Sequence, residues 1–252
     1  MSIALALFSK TDIMVRPWLE AGYSAVIVDL QHPEGETKDG RLTRIGANML
    51  DWVPPTWLAR SDVVLTAAFP PCDHMAVSGA RWFAGKGLGK LADSIRLFER
   101  AAFWCEWFGA PYLIENPVST ISSYWRKPDH TFHPWHFTAF EDTDNYTKKT
   151  CLWTGNGFVM PAKRADCDTI DDRIHKAPPS DERADFRSAT PLGFARAVFE
   201  ANHVTNHGCD RVLHPEFVTD REALERVKFD YEETRDLRPS TLSIIEERLK
   251  TE

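Results

Sequence analysis

Two short apolar runs near the amino terminus, IALALF at 3–8 and SAVIVDL at 24–30, restrict the fold of this 252-residue chain more than any other feature. Neither alternates apolar with polar residues, so each reads as a strand covered on both faces. The stretch between them, TDIMVRPWLEAGY, offers Thr11 as a cap and Gly22 as a stop for one helix. Strand, helix, strand with continuously apolar strands opens a parallel α/β sheet. Further strands are expected in TRIGANML, SDVVLTAAF, APYLIENP and TCLWTG, and helices over 91–108 and in PLGFARAVFEANHV. Residues 119–145 form an irregular insertion, 156–175 a short polar stretch, and 206–252 a charged helical extension to a domain spanning 1–205.

Composition narrows the classes. With 43% apolar residues the chain fills a real core, and no apolar run approaches the roughly 20 residues a membrane span needs. The amino terminus lacks the charged start and small-residue cleavage site of a signal peptide, so a cytoplasmic protein is expected. Five cysteines, at 72, 105, 151, 167 and 209, include no C-x-x-C pair and are expected to be free thiols. Cys72-x-His74, His133 with His136, and His203 and His207 with Cys209 lack the paired spacing of a zinc site, so no metal is expected. A net charge of −7 argues against a long nucleic-acid footprint and leaves room for a local one.

The chemistry gathers at strand ends. In TAAFPPCDHM two prolines end the strand, and Cys72 sits on the stiff turn that follows. Glu115 in LIENP is the polar tip of another strand, on the same edge if the two strands are near neighbours. A thiolate beside a carboxylic acid suits nucleophilic addition across an activated double bond while a ring nitrogen is protonated. The alternative is a small packing cysteine and a turn acid.

Together, PPC after one strand and ENP after the next resemble motifs of the cytosine carbon-5 methyltransferase family, and the surroundings agree. LFSKTDIMVRPWLEAGYSAVIVDLQHP resembles its first cofactor motif with the acid that follows, and DSIRLFERAAFWCEWFGAPYLIENP has its spacing of helix, proline and strand. NYTKKTCLWTG resembles its basic strand motif. IHKAPPSDERADFRSATPLGFARAV is similar to the closing segment of small methyltransferase-like proteins common in bacteriophage genomes, for which the location would be the host cytoplasm.

The resemblance implies a Rossmann-like fold of the S-adenosylmethionine-dependent methyltransferases, with a mostly parallel central sheet. It implies that Cys72 attacks carbon 6 of cytosine, Glu115 serves ring nitrogen 3 and Lys148 holds the base carbonyl oxygen. It further implies that carbon 5 takes a methyl group from S-adenosylmethionine. Phe8, Ser9, Lys10, Asp29, Pro70, Thr190 and Pro191 would line the cofactor pocket, with Asn48 or Asp51 at the adenine amino group. Pro71, Asn116, Pro117 and Thr150 would face the substrate.

Two departures stand out. FSKTDI has no glycine where the family has a glycine-rich turn, so Lys10 either meets the cofactor carboxylate or is simply solvated. Tyr146, Lys148 and Thr150 occupy positions where the family has Gln, Arg and Arg; on a strand they would share one face. The resemblance implies DNA as the partner; Arg126 and Lys127, among aromatics and histidines in WRKPDHTFHPWHF, suit either a local contact to base and phosphate or an ordinary surface loop. The short 156–175 stretch leaves too little chain for a separate recognition domain, which makes a free cytosine nucleotide the competing substrate. A non-catalytic protein binding a nucleotide or a partner on a degenerate version of the fold is the third reading.

Overall fold

A computed structural model describes residues 2–173 and 188–203. The 206–252 extension, His207 and Cys209, and the IHKAPPSDERADFR part of the closing motif lie outside the described residues.

Seven strands form one sheet: β1 (Ile3–Leu7), β2 (Ser24–Asp39), β3 (Leu42–Gly46), β4 (Val63–Ala68), β5 (Tyr112–Pro117), β6 (His130–Phe132) and β7 (Thr150–Gly155). They lie in the order β3-β2-β1-β4-β5-β7-β6. The pairs β1–β2, β1–β4 and β4–β5 are parallel, and β7 is inserted antiparallel between β5 and β6. The helices are α1 (Arg16–Glu20), α2 (Phe83–Phe108), α3 (Ile121–Tyr124) and α4 (Leu192–Asn202).

The apolar runs work as strands because successive side chains serve opposite cores. Leu5, Leu7, Val26 and Val28 face a cluster with Phe98, Trp104 and Phe108 of α2. Ala4, Ala6, Ala25 and Ile27 face the other cluster, with Trp18 of α1 and Phe194 and Val198 of α4. Helices thus cover both faces, and the architecture is α/β with a mostly parallel sheet, compatible with a Rossmann-like fold.

Three expectations are corrected. The first helix is only Arg16–Glu20, preceded by Val15 instead of being capped at Thr11; Pro17 suits its first turn, and Asp12 pairs with Arg16 at 2.7 Å. The strand after Ser24 runs on to Asp39. Its first half pairs with β3 in parallel, and its second half folds back along β3 in reverse order, Glu36 opposite Ile45 and Asp39 opposite Leu42. Gly46 permits this return, since a Cβ there would lie 1.9 Å from the Pro33 carbonyl oxygen. Finally, the insertion contributes the edge strand β6, paired to β7 through Thr131 and Cys151.

Candidate active site

The carboxyl ends of β1, β2, β4 and β5 share one edge of the sheet because these strands are parallel neighbours. Strand order reverses about β1 and β4, and in such sheets the crevice at that point receives ligands.

At the end of β4, Pro70 is buried, Pro71 exposed and Cys72 half-buried. The turn is clamped from β5: buried Asn116 donates through Nδ2 to the Pro70 carbonyl oxygen at 2.9 Å. It continues into a helical turn in which Met75 and Ala76 donate to the Cys72 carbonyl oxygen at 2.9 Å. Ala76 then bridges to Ser119 beyond β5. The two strand tips are therefore joined on both sides of the cysteine, as their neighbouring positions in the sheet require.

Cys72, Glu115 and Lys148 act on one another electrostatically. Burial pushes the Cys72 thiol up to about 11, with Glu115 and Asp73 adding to the rise and Lys148 opposing it. Glu115 is likewise raised by burial and partly held back by Lys148. The raised value favours the protonated thiol of Cys72, with Lys148 the basic neighbour that works toward the thiolate. The raised carboxyl favours the protonated state of Glu115, the form that donates a hydrogen bond.

Lys148 precedes the strand; β7 begins at Thr150. Tyr146, Lys148 and Thr150 therefore do not share a strand face. Tyr146 is buried in a bridge to Asp171, and Lys148 donates to the Ala189 carbonyl oxygen at 3.2 Å. Buried Thr150 gives its hydroxyl to the Lys148 carbonyl oxygen at 3.2 Å. The Lys148 bond ties the site to the closing segment, where Thr190 is half-buried and Pro191 is the buried residue that starts α4. Pro117 stands opposite Thr150 across β5 and β7.

The turn after β1 reverses without glycine because Phe8 itself occupies the left-handed region, at φ 56°. Buried Ser9 donates its amide to the Val28 carbonyl oxygen at 3.1 Å and its hydroxyl to the Thr11 carbonyl oxygen at 2.9 Å. His32 Nε2 lies 3.1 Å from the Ser9 carbonyl oxygen and links this turn to the bend within β2; sequence reasoning had no signal for it. Lys10 is exposed. Asp29 accepts the Gln31 amide on Oδ1 at 2.8 Å. Asn48 spends its side-chain oxygen on the Leu50 amide at 3.1 Å, and Asp51 follows in the same turn, half-buried.

Two further residues are not apparent from the sequence as parts of this site. His74, which the sequence suggests only as a zinc ligand, stands two residues beyond Cys72 with a buried, unpartnered Nδ1. Asp144 accepts the Gly193 amide at 2.7 Å in the first turn of α4, and EDTDNYT carries no pattern that would single it out. Among the described residues no three His, Cys, Asp or Glu side chains gather as metal ligands, and no helix is long and apolar enough to cross a membrane. No family model and no curated protein matches this chain.

Proposed function

We propose that the protein is an S-adenosylmethionine-dependent methyltransferase acting on carbon 5 of cytosine in DNA through a covalent adduct with Cys72. The observation that carries this reading is the mutual electrostatic influence of Cys72, Glu115 and Lys148, brought from three separate segments to the edge where parallel sheets bind ligands. The methyltransferase version of the Rossmann-like fold belongs to the same proposal, supported by the reversal of strand order beside this edge.

The residues at the β1 and β2 tips fit the cofactor. Phe8 makes the backbone reversal that a glycine would otherwise make, and Asp29 has a second carboxylate oxygen for ribose hydroxyls. Ser9, Lys10, Pro70, Thr190 and Pro191, with Asn48 or Asp51, complete the set. S-adenosylmethionine, when bound, supplies the methyl group.

Cys72 first releases its proton to solvent, and its sulfur then bonds to carbon 6. The ring electrons shift toward nitrogen 3, which takes a proton from Glu115, a carboxyl whose raised pKa favours the acid form. Lys148 steadies the base carbonyl oxygen, and Asn116 holds the Cys72 turn in position. Carbon 5 is now electron-rich and accepts the methyl group. Its proton then leaves to solvent, the bonding pair re-forms the ring double bond, the Cys72 thiolate is expelled, and nitrogen 3 returns its proton to Glu115.

One observation favours a second substrate, a free cytosine nucleotide. Segment 156–171 is tied to the body by backbone hydrogen bonds, the Arg164 amide donating to the His136 carbonyl oxygen at 2.8 Å and the Thr147 amide to that of Asp171 at 3.0 Å. Transfer from labelled S-adenosylmethionine to duplex DNA, single-stranded DNA and deoxycytidine nucleotides tests both readings. Label on carbon 5 in a DNA pool, abolished by Cys72→Ala, is expected. Label in the nucleotide pool alone selects the second reading, and no transfer anywhere overturns both.

A further inference from the structure

Beside the Cys72 turn a cavity of about 390 Å³ opens between the loop after β4, the first turns of α2 and Thr120. That volume is within the roughly 300–1,000 Å³ usual for small-molecule sites. Phe83, Leu88 and Leu91 make its apolar walls, and His74, Lys86 and Thr120 its polar ones.

Four features distinguish this cavity from a packing fault. His74 Nδ1 and Thr120 Oγ1, on two of the lining residues, are buried without a hydrogen-bond partner. Orphaned polar atoms are uncommon in folded proteins, and two on the lining of one cavity call for a partner that satisfies them. Leu88, 83% exposed, is a large apolar side chain that the described residues leave uncovered, and α2 is interrupted at Gly87 immediately before it. Lys86, whose Nζ donates to the Asp73 carbonyl oxygen at 2.5 Å, retains further N–H bonds for an anion. Next to Phe83, Trp82 is 60% exposed with the Arg81 guanidinium 5.1 Å from its ring, a pairing that suits a nucleic-acid strand.

We infer that this cavity receives the nucleotide flanking the target cytosine in single-stranded DNA. The base lies against Phe83 and Leu88, its edge is read by His74 and Thr120, and its phosphate meets Lys86. The inference rests on the methyltransferase reading for the position of the target at Cys72. Single-stranded DNA is the fitting form because its bases are already unstacked, whereas holding open a duplex takes a recognition element that the short 156–171 segment, tied back to the body, does not supply.

The test is binding, measured on Cys72→Ala protein so that no adduct forms, by fluorescence anisotropy of a labelled single-stranded oligodeoxynucleotide with one central cytosine. Leu88→Glu, at an exposed position, is expected to weaken binding at least tenfold, and Thr120→Val, which removes a hydroxyl that bonds to nothing, about threefold or more. The same charge at exposed Ile170, Ile170→Glu, is expected to change affinity less than twofold. Deoxycytidine monophosphate is expected to compete only at concentrations at least a hundredfold higher. Affinity within twofold of the parent for both cavity variants, no measurable oligonucleotide binding, or equal competition by the mononucleotide overturns the inference. Methyl transfer to cytosine with unaltered binding in both variants sinks the cavity and leaves the methyltransferase reading standing; variant-sensitive binding with no methyl transfer does the reverse.

Discussion

Cys72 carries a burden that its position in the sequence does not reveal: burial and the Glu115 and Asp73 carboxylates hold its proton on, and Lys148 works against them. The alkylation rate of Cys72, followed by peptide mass spectrometry against pH, is expected to rise with an inflection near 11. Glu115→Gln removes a negative neighbour and is expected to move the inflection down, while Lys148→Met removes the opposing charge and moves it up. An inflection that neither substitution shifts would contradict the coupling of the three residues. Cys105 and Cys151 are buried and provide slow internal references. Cys72 and Glu115 were legible in the sequence because each follows or ends an apolar run, and strand ends are where side chains leave the core. The His74 orphan and the His32 contact were not, since each depends on what chain-distant neighbours leave unpaired or bring close.

Among the elements, α2 is the one whose detail departs most from its pattern. Its core-facing residues from Phe98 to Phe108 follow helical periodicity against the sheet, but FAGKGLGKL at its start has three glycines with different jobs. Gly87 has φ 78° and ψ 168°, a conformation that L-residues avoid, whereas Gly85 and Gly89 have ordinary helical φ and open space where a side-chain carbon would stand. Gly87→Ala is therefore expected to cost about 1–3 kcal/mol in urea unfolding. Gly85→Ala and Gly89→Ala are each expected to gain up to about 1 kcal/mol. Equal effects at all three positions would mean that the interruption of α2 is not maintained in solution. The outer half of β2 was illegible for a different reason: residues 35–39 are all exposed, so no apolar alternation marks a strand that pairs on one side only.

At the scale of the molecule, two buried titrating groups oppose each other across the same pH range. Asp144 is raised to about 6 by burial and Glu141, against the Gly193 amide, Arg173 and Lys148; His136 is lowered to about 4 by burial, Lys163 and His133. For Asp144 the folded value lies above the unfolded one, so its contribution to stability is present below about 3.8 and is lost as pH rises through about 6. For His136 the folded value lies below the unfolded one, so its contribution is present above 6.5 and is lost as pH falls through about 4. The two nearly offset in the intact protein. Asp144→Asn keeps an acceptor for Gly193 but removes the acid-side gain, so its stability relative to the parent should fall by ~2 kcal/mol between pH 7 and pH 4 in denaturant titrations. Parallel pH profiles for the two proteins would refute this balance.

The sequence by itself determined the central strands and placed Cys72 and Glu115 at their ends, because a strand buried on both faces is almost continuously apolar and its end shows as a break in that run. Only the tertiary structure decided the raised pKa of Cys72, the start of β7 after Lys148, the return of β2 along β3 and the cavity beside His74. Each of these arises from the field or the space created by segments distant in the chain, and local patterning carries no record of either.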